Sequence, residues 1–400
     1  MLKQFSSAIV NPSLPSTAST RAAKSYRAAI SQLTAAIGLV NHHDAITGTS
    51  KQHVAEDYKK ILAAALSRAE DTLSATVAAA ISSNPLTEAR VSMCRLMNET
   101  VCEATQSLGD SDAVTILVYN PLPRTRSQQI TVMLSDLYKN KDKAPSALMM
   151  NISVYAIRYD SKSLEGVELT AIPSEVYRNV PLSSNQLSAD LTAVFSAQDV
   201  PAMSTALYVL SVNKALVDNS VIPSSNPSEP ETVQLQKSDA KASSSSDDSF
   251  SISNDLVSVS FSKSTGLMQA ITRRDSETDF SSSKITTTLT QDLKYYQSFG
   301  SPGAKGFTET PKDDRDPHLK NIKRNPNASP EDQASGAYIF RPSSAIERPI
   351  SMSAGNEVKV SVMRGQLVSE VRQNFSSWAS QIVRVRQGQA AVEIEWTVRH

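Results

Sequence analysis

The spacing of apolar residues changes once along this chain, from a helical repeat to a strand repeat, and this limits the folds open to it. In residues 26–40 and 54–81, apolar side chains recur every three or four positions, until Pro85 ends the pattern. Beyond Cys102, alternate residues are apolar, as in half-buried strands. The sequence therefore predicts an α+β multidomain protein, with a helical hairpin or three-helix bundle followed by β-sandwich domains.

Composition sets the expected domain boundaries. We expect an irregular lead-in at 1–24, a helical bundle at 25–100, a first β-sandwich at 101–220, a disordered Ser-rich linker at 221–249, and the incomplete start of a large C-terminal β-sandwich domain at 250–400. The third helix is expected at 87–96. Strands are expected at 112–119, 128–134, 151–159, 167–172, 205–212, 256–261 and 267–271, the first two forming a hairpin.

The charge balance excludes several classes of partner. Forty basic and forty acidic residues cancel, so no overall field draws the chain to nucleic acid or to an anionic membrane. No apolar run is long enough to span a bilayer. We therefore expect no nucleic-acid or membrane partner and favour a small neutral substrate.

Three of the five histidines, His42, His43 and His53, lie between residues 40 and 58. Asp44 directly follows the first two. Adjacent side chains point in different directions, so at most one histidine of the pair can bind a given metal ion. The cluster fits a metal or substrate site, and it also fits a polar helix terminus in which a histidine bonds a carboxylate. His53 is expected to be a partly exposed capping or packing residue.

The residues after the histidine pair predict the start of a helix. Gly48 permits a sharp turn. Thr49 and Gln52 have the spacing of a capping box, in which each side chain bonds the backbone of the other residue. The second long helix is therefore expected to begin at about Ser50.

The string N-H-H-D-A-I-T-G-T-S-K-Q-H-V-A-E-D-Y at 41–58 resembles the signature of the lysosomal-type α-mannosidases, glycoside hydrolase family 38. The resemblance implies that His43 is a zinc ligand and that Asp44 contacts the sugar. The segments at 332–342 and 368–378 resemble the large C-terminal β domain of that family. The first implies that Tyr338 lies near the sugar pocket, although a buried strand tyrosine fits the residues equally well.

The resemblance implies part of a zinc-dependent retaining α-mannosidase that removes terminal α-D-mannose from N-glycan-type oligosaccharides. Retaining hydrolysis uses two carboxylates. In the family, these and three zinc ligands come from an α/β domain preceding the helices, and residues 1–41 contain no His-x-Asp pair. We therefore expect this chain alone to lack nucleophile and general acid, and to need a missing N-terminal catalytic segment as partner. The alternative is a non-catalytic carbohydrate- or partner-binding protein.

The segment from Cys94 to Cys102 resembles a cysteine-bounded, glycosylated segment of the lysosomal enzymes. The resemblance implies a disulfide between the two cysteines, although the residues alone also fit buried thiols. It implies a lysosomal, vacuolar or secreted protein whose signal peptide is missing from this chain. Four sequons agree with a secretory route, at Asn98, Asn151, Asn327 and Asn374.

Overall fold

In the described part of the chain, two helices and eighteen strands, all paired antiparallel, account for the regular structure. This computed structural model describes residues 16–81, 105, 108, 113–134, 151–159, 167–179, 191–212, 216, 231–233, 248–274, 284–296, 338, 340, 349–353 and 358–398. Its compact units are Met1–Ser92 with Lys294–Ser351, and Met93–Leu293 with Met352–His400. None of the described helices has the length and hydropathy needed to cross a lipid bilayer. The domain boundaries expected from the sequence stay predictions.

The first unit contains the predicted helical hairpin, formed by α1 (Ser16–Val40) and α2 (Gln52–Ile81). Helix α1 begins inside the segment expected to be irregular. Its first turns lack an apolar repeat, but they are rich in Ala, Arg and Lys, which have high intrinsic helix propensity. The third predicted helix at 87–96 lies outside the described residues.

The two helices pack mainly through small side chains. Their buried residues are Tyr26, Ala29, Ala36, Ala65, Ala69 and Leu73. Small residues let helix axes approach closely, because there is little side-chain volume between the backbones. Ile37 belongs to the apolar repeat of residues 26–40, which predicts a packing position, but its side chain is 46% exposed, because the buried stripe of α1 follows the alanines instead.

The second unit begins with two sheets that enclose one core. One sheet has the order β1-β7-β3-β4 and the other has the order β2-β6-β5. Both contribute to a single cluster of buried side chains that includes Leu134, Phe195 and Leu210. The strands are β1 (Ala113–Asn120), β2 (Arg126–Leu134), β3 (Ile152–Tyr159), β4 (Val167–Ile172), β5 (Ser174–Arg178), β6 (Leu191–Val200) and β7 (Ser204–Val212).

The predicted hairpin between the first two strands is wrong, although both strands exist. Strand β1 pairs with β7, and β2 pairs with β6 in the other sheet. Asn120, at the end of β1, stabilises the turn that leads the chain from one sheet into the other. Its amide nitrogen donates to the carbonyls of Arg124, Val200 and Pro201 at 2.7–3.0 Å, and its side-chain oxygen accepts from the backbone of Leu122 at 3.1 Å.

Two further sheets follow in the same unit, with orders β12-β11-β10-β9 and β18-β17-β16-β15-β8. Gly266, in the turn between β10 and β11, has φ +72°, and a Cβ there would lie 2.6 Å from the Val360 side chain. Glycine therefore lets these sheets approach closely. The strands are β8 (Glu231–Val233), β9 (Ser249–Ser253), β10 (Val257–Ser262), β11 (Met268–Arg274), β12 (Lys284–Thr288), β15 (Lys359–Arg364), β16 (Val368–Asn374), β17 (Ala379–Arg386) and β18 (Val392–Val398).

Two short strands belong to the first unit: β13 (Lys294–Tyr295) pairs with β14 (Ile350–Ser351). Strand β8 lies inside the segment expected to be a disordered linker. It pairs with β15 at the edge of the five-stranded sheet, where the backbone gains hydrogen bonds without needing an apolar face. Most of the remaining linker, residues 221–230 and 234–247, lies outside the described residues.

A buried polar cluster connects the β2-β6-β5 sheet to the five-stranded sheet. The Glu370 carboxylate is 1% exposed and accepts hydrogen bonds from Tyr177, Arg372 and Arg384. Asn179 accepts from Arg372 at 3.0 Å. We call these five residues the junction cluster. Because every charged group in it is paired, the cluster can be buried without an isolated ion.

Burial and charge shift the pKa values at this junction. Burial would raise the pKa of Glu370, but the guanidinium groups of Arg384 and Arg372 lower it to about 2. Burial raises the pKa of Tyr177, so its hydroxyl stays protonated and donates to Glu370. Burial also raises the pKa of Glu175, whose carboxylate accepts from the backbone of Leu367 and Val368 at 3.0 and 2.7 Å.

Candidate functional site

The predicted histidine motif forms the connection between α1 and α2, residues 41–51, which we call the histidine turn. Helix α1 ends as the backbone and side-chain nitrogens of Asn41 both donate to the Ile37 carbonyl, at 3.1 and 2.9 Å. The chain reverses through Gly48, whose φ of +73° is readily adopted only by glycine. The turn therefore presents its side chains at one end of the helical hairpin.

His42 is held in place by both of its ring nitrogens. Its Nδ1 lies 2.8 Å from the Leu39 carbonyl oxygen in the last turn of α1, and its Nε2 lies 3.4 Å from the Tyr58 hydroxyl in α2. The His42 and Tyr58 rings also meet edge to face, with centroids 5.6 Å apart. His42 is therefore a structural residue of the turn with no nitrogen left for another ligand.

His43 and Asp44 have the opposite character. The His43 side chain is 89% exposed, and its Nε2 lies 3.5 Å from Oδ2 of Asp44, which is 52% exposed. At that separation and exposure, the attraction between the two groups is weak. Both side chains are therefore accessible to a ligand at the end of the hairpin.

Hydroxyl groups fix the backbone and carboxylate of this pair. Thr49 donates to Oδ1 of Asp44 at 3.0 Å, and the buried Ser50 donates to the Asp44 carbonyl at 2.7 Å. Thr47 donates to the His43 carbonyl. Because Thr49 occupies Oδ1, the carboxylate presents its other oxygen toward His43.

The predicted capping box between Thr49 and Gln52 is wrong, because both side chains have other partners. Thr49 bonds Asp44 instead of the helix, and the Gln52 side chain donates to Glu56 at 2.8 Å. The Lys51 carbonyl accepts the first bonds of the helix, from the backbone of residues 54 and 55, and α2 begins at Gln52. His53 is exposed in the first turn of α2, whereas the sequence analysis expects a partly exposed capping or packing residue.

Within the described ranges, no three His, Cys, Asp or Glu side chains are placed to share a metal ion. A stable zinc site needs three or four ligands, and the histidine turn offers two candidates, His43 and Asp44. The described residues therefore do not fit a complete zinc site by themselves.

Tyr338 is not the buried strand tyrosine that the sequence also allowed, because it is 55% exposed. In the described part of the chain, no hydrogen bond joins it to His43 or Asp44, so its proposed role at the sugar stays a prediction. Nearby in sequence, the exposed Phe340 packs edge to face on Tyr296, with ring centroids 5.3 Å apart.

The predicted glycosylation and disulfide sites are described only in part. Asn151 is exposed immediately before β3, as an acceptor must be. Asn374 is half-buried at the end of β16, opposite Ser380. Asn98, Asn327 and both cysteines lie outside the described residues.

Sequence reasoning missed the parts played by Tyr58 and Thr49. The apolar repeat of residues 54–81 includes Tyr58, but it indicates no partner for the Tyr58 hydroxyl. A usable signal was present, since a tyrosine within two turns of the helix start can reach back to the preceding loop. Thr49 was assigned to the helix cap because of its spacing to Gln52.

Comparison with known proteins gives two matches to protein families. Residues 252–400 match the glycosyl hydrolases family 38 C-terminal domain, and residues 2–79 match the alpha mannosidase middle domain. Lysosomal alpha-mannosidase of Cavia porcellus is 29% identical over 369 residues, covering 92% of this chain and 28% of that protein. Alpha-mannosidase of Canavalia ensiformis is 26% identical, covering 91% and 31%, and lysosomal alpha-mannosidase of Homo sapiens is 25% identical, covering 92% and 28%. The chain spans less than a third of the length of these curated relatives.

Proposed function

Because this chain belongs to glycoside hydrolase family 38, whose middle and C-terminal domains it matches, we propose that it forms part of a zinc-dependent retaining α-mannosidase. The substrate is terminal α-D-mannose of N-glycan-type oligosaccharides, and the location is the lysosome, the vacuole or the exterior. One observation carries the proposal: His43 and Asp44 are exposed side by side, whereas both nitrogens of His42 are occupied.

His43 is the zinc ligand proposed from this chain. A zinc ligand needs a nitrogen lone pair that can reach the ion, and the exposed Nε2 of His43 has one. The remaining ligands must come from outside the described residues, since a single imidazole does not hold zinc usefully. No other histidine of the turn competes for this role.

Asp44 is proposed to bind a mannose hydroxyl. Its Oδ1 accepts from Thr49, and its Oδ2 is available to a sugar O–H. Hydrogen bonds to a charged carboxylate contribute about 1.5–3 kcal/mol each. Tyr338, exposed and without a hydrogen bond in the described part of the chain, is proposed as a further sugar contact.

The isolated chain is proposed to be inactive. Retaining glycoside hydrolysis uses a nucleophile and a general acid, both carboxylic. The histidine turn contains one carboxylate, Asp44, which is committed to binding in this proposal. The nucleophile and the acid are therefore proposed to come from an N-terminal catalytic segment.

The test has two stages. The isolated chain is first assayed on an aryl α-mannoside, and turnover above the buffer rate that a chelator abolishes would contradict the proposal. The chain is then fused to the catalytic α/β segment of a family α-mannosidase, and zinc content and turnover are measured. Restored zinc and turnover are expected. An active fusion whose zinc and turnover do not depend on His43 would also contradict it.

Variants of the fusion separate the roles within the turn. His43→Ala should lose zinc and nearly all turnover, whereas His42→Ala should keep zinc bound. Asp44→Asn should keep zinc and lose about ten- to a hundredfold in turnover, because a charge-assisted bond is weakened. His53→Ala is the matched control, since this exposed histidine lies outside the turn. Loss of zinc in His42→Ala with retention in His43→Ala would reverse the assignment.

A further inference from the structure

We propose that His42 and Tyr58 form a positioning pair that orients the His43–Asp44 pair, a role that rests on the function proposed above. His42 bridges the two helices of the hairpin. Its Nδ1 is bonded to Leu39 at the end of α1, and its Nε2 is bonded to Tyr58, 16 residues further along the chain in α2. No other described side chain of the histidine turn contacts both helices through hydrogen bonds.

The partners of His42 determine where its proton lies. A carbonyl oxygen can only accept, so the Leu39 contact at 2.8 Å places the proton of the neutral ring on Nδ1. The Nε2 lone pair then accepts from the Tyr58 hydroxyl at 3.4 Å. The structure thus assigns His42 the Nδ1–H tautomer, with Tyr58 as the donor to its second nitrogen.

This arrangement fixes the direction of the next residue. With the His42 ring held toward α2, the adjacent His43 side chain must point elsewhere, and it is largely exposed. The two imidazole rings still meet edge to face, with centroids 5.7 Å apart and an interplanar angle of 75°. The His42 ring therefore limits the rotamers open to His43 on one side, without touching a ligand itself.

If His42 only stabilised the end of α1, it would not need the Tyr58 hydroxyl. His42 could serve only to cap an unpaired carbonyl at the end of α1, as basic side chains often do. Such a cap needs Nδ1 alone and has no use for the Tyr58 hydroxyl. Removing that hydroxyl therefore distinguishes the two roles.

The first measurement uses the isolated chain and does not depend on zinc or turnover. Nitrogen-15 NMR of the histidine rings, at about pH 8.5 where free imidazole is neutral, reports the tautomer of His42. We expect Nδ1–H in the parent, and in Tyr58→Phe a changed Nε2 chemical shift, because the Nε2 lone pair loses its hydrogen-bond donor. Tyr26→Phe, which removes a hydroxyl elsewhere in the same hairpin, should leave that chemical shift unchanged. An Nε2–H tautomer in the parent, or equal spectra for Tyr58→Phe and the parent, would overturn the proposal.

The second measurement uses the fusion described above. Partners that orient a metal ligand typically change metal affinity by about 10- to 100-fold when removed. Tyr58→Phe should therefore weaken zinc binding at least about tenfold relative to Tyr26→Phe, with helix content by circular dichroism unchanged. Equal zinc affinity in these two variants would contradict the proposal that His42 and Tyr58 orient His43 and Asp44. A failure of the proposed function itself would appear separately, as zinc retention in His43→Ala.

Discussion

Replacing Glu370 by glutamine removes the carboxylate that Arg372 and Arg384 share in the junction cluster. The carboxylate is 1% exposed, and the two arginines are also largely buried. A glutamine oxygen can keep one of the hydrogen bonds, but it carries no charge. The substitution therefore leaves buried guanidinium charge that is only partly compensated.

The stability lost in Glu370→Gln follows from the ion pairs and, separately, from the pKa of Glu370. Breaking a buried ion pair by removing one partner costs about 3–5 kcal/mol. Lowering the pKa of Glu370 from its ordinary value of 4.5 to about 2 corresponds to about 3 kcal/mol of stability. We therefore expect Glu370→Gln to reduce the free energy of unfolding by about 3 kcal/mol at pH 7.

The same pKa shift fixes the pH dependence. The folded-state pKa is depressed, so the contribution of Glu370 is fully present above about pH 4.5 and is lost as the pH falls toward 2. By about pH 3, roughly half or more of it should be gone. The difference in stability between parent and Glu370→Gln should therefore shrink between pH 7 and pH 3.

Urea unfolding followed by tryptophan fluorescence measures this directly. Trp396 lies in β18 of the five-stranded sheet that contains Glu370, and Trp378 lies in the turn that joins β16 to β17 of that sheet. Glu395→Gln is the matched control, because Glu395 also bonds Arg384 at 2.8 Å but is 35% exposed, and surface pairs contribute about 0–1 kcal/mol. Equal losses in the two variants, or a difference between parent and Glu370→Gln that does not depend on pH, would contradict a stabilising buried charge at Glu370.

Two further predictions concern the turns and the cysteines. Gly266→Ala and Gly388→Ala both force alanine into positive φ, at about 1–2 kcal/mol, but only at residue 266 does the new Cβ collide with a neighbouring strand. Gly266→Ala should therefore lower the midpoint of urea unfolding more, and equal midpoints would contradict the close approach. Cys94 and Cys102 are predicted to form a disulfide worth about 2–3 kcal/mol. Mass analysis of non-reduced peptides that finds two free thiols would contradict it.

Much of the β structure could be predicted from alternating apolar residues, but pairing could not. Strands β1, β3, β4 and β7 follow the predicted ranges closely. Strand β6 was missed because it does not alternate: Phe195 faces one core and Val194 a second, so both faces are buried. The partner of β1 was predicted wrongly because local sequence cannot show that Asn120 directs the chain into another sheet.

The candidate site was predictable in its residue types and less so in its geometry. The family resemblance predicts His43 and Asp44 as site residues, and adjacency predicts that at most one histidine of the pair binds a given metal ion; both stay predictions. Which partner occupies His42 depends on the packing of α2 against α1, so it required the three-dimensional arrangement. The junction cluster was missed because Glu370 and Arg372 alternate along β16 as the residues of a solvent-facing strand do.

The junction cluster also has a consequence for the order of folding during synthesis. Tyr177 and Glu370 lie 193 residues apart in the chain, as do Glu175 and Val368. A ribosome adding about 5–20 residues per second therefore exposes β5 for roughly ten to forty seconds before β16 exists. The first two sheets can close their own core in that interval, because their strands all precede residue 213. Such distant pairings form late and slowly, so the outer face of β5 and β6 stays uncovered until β16 has been made.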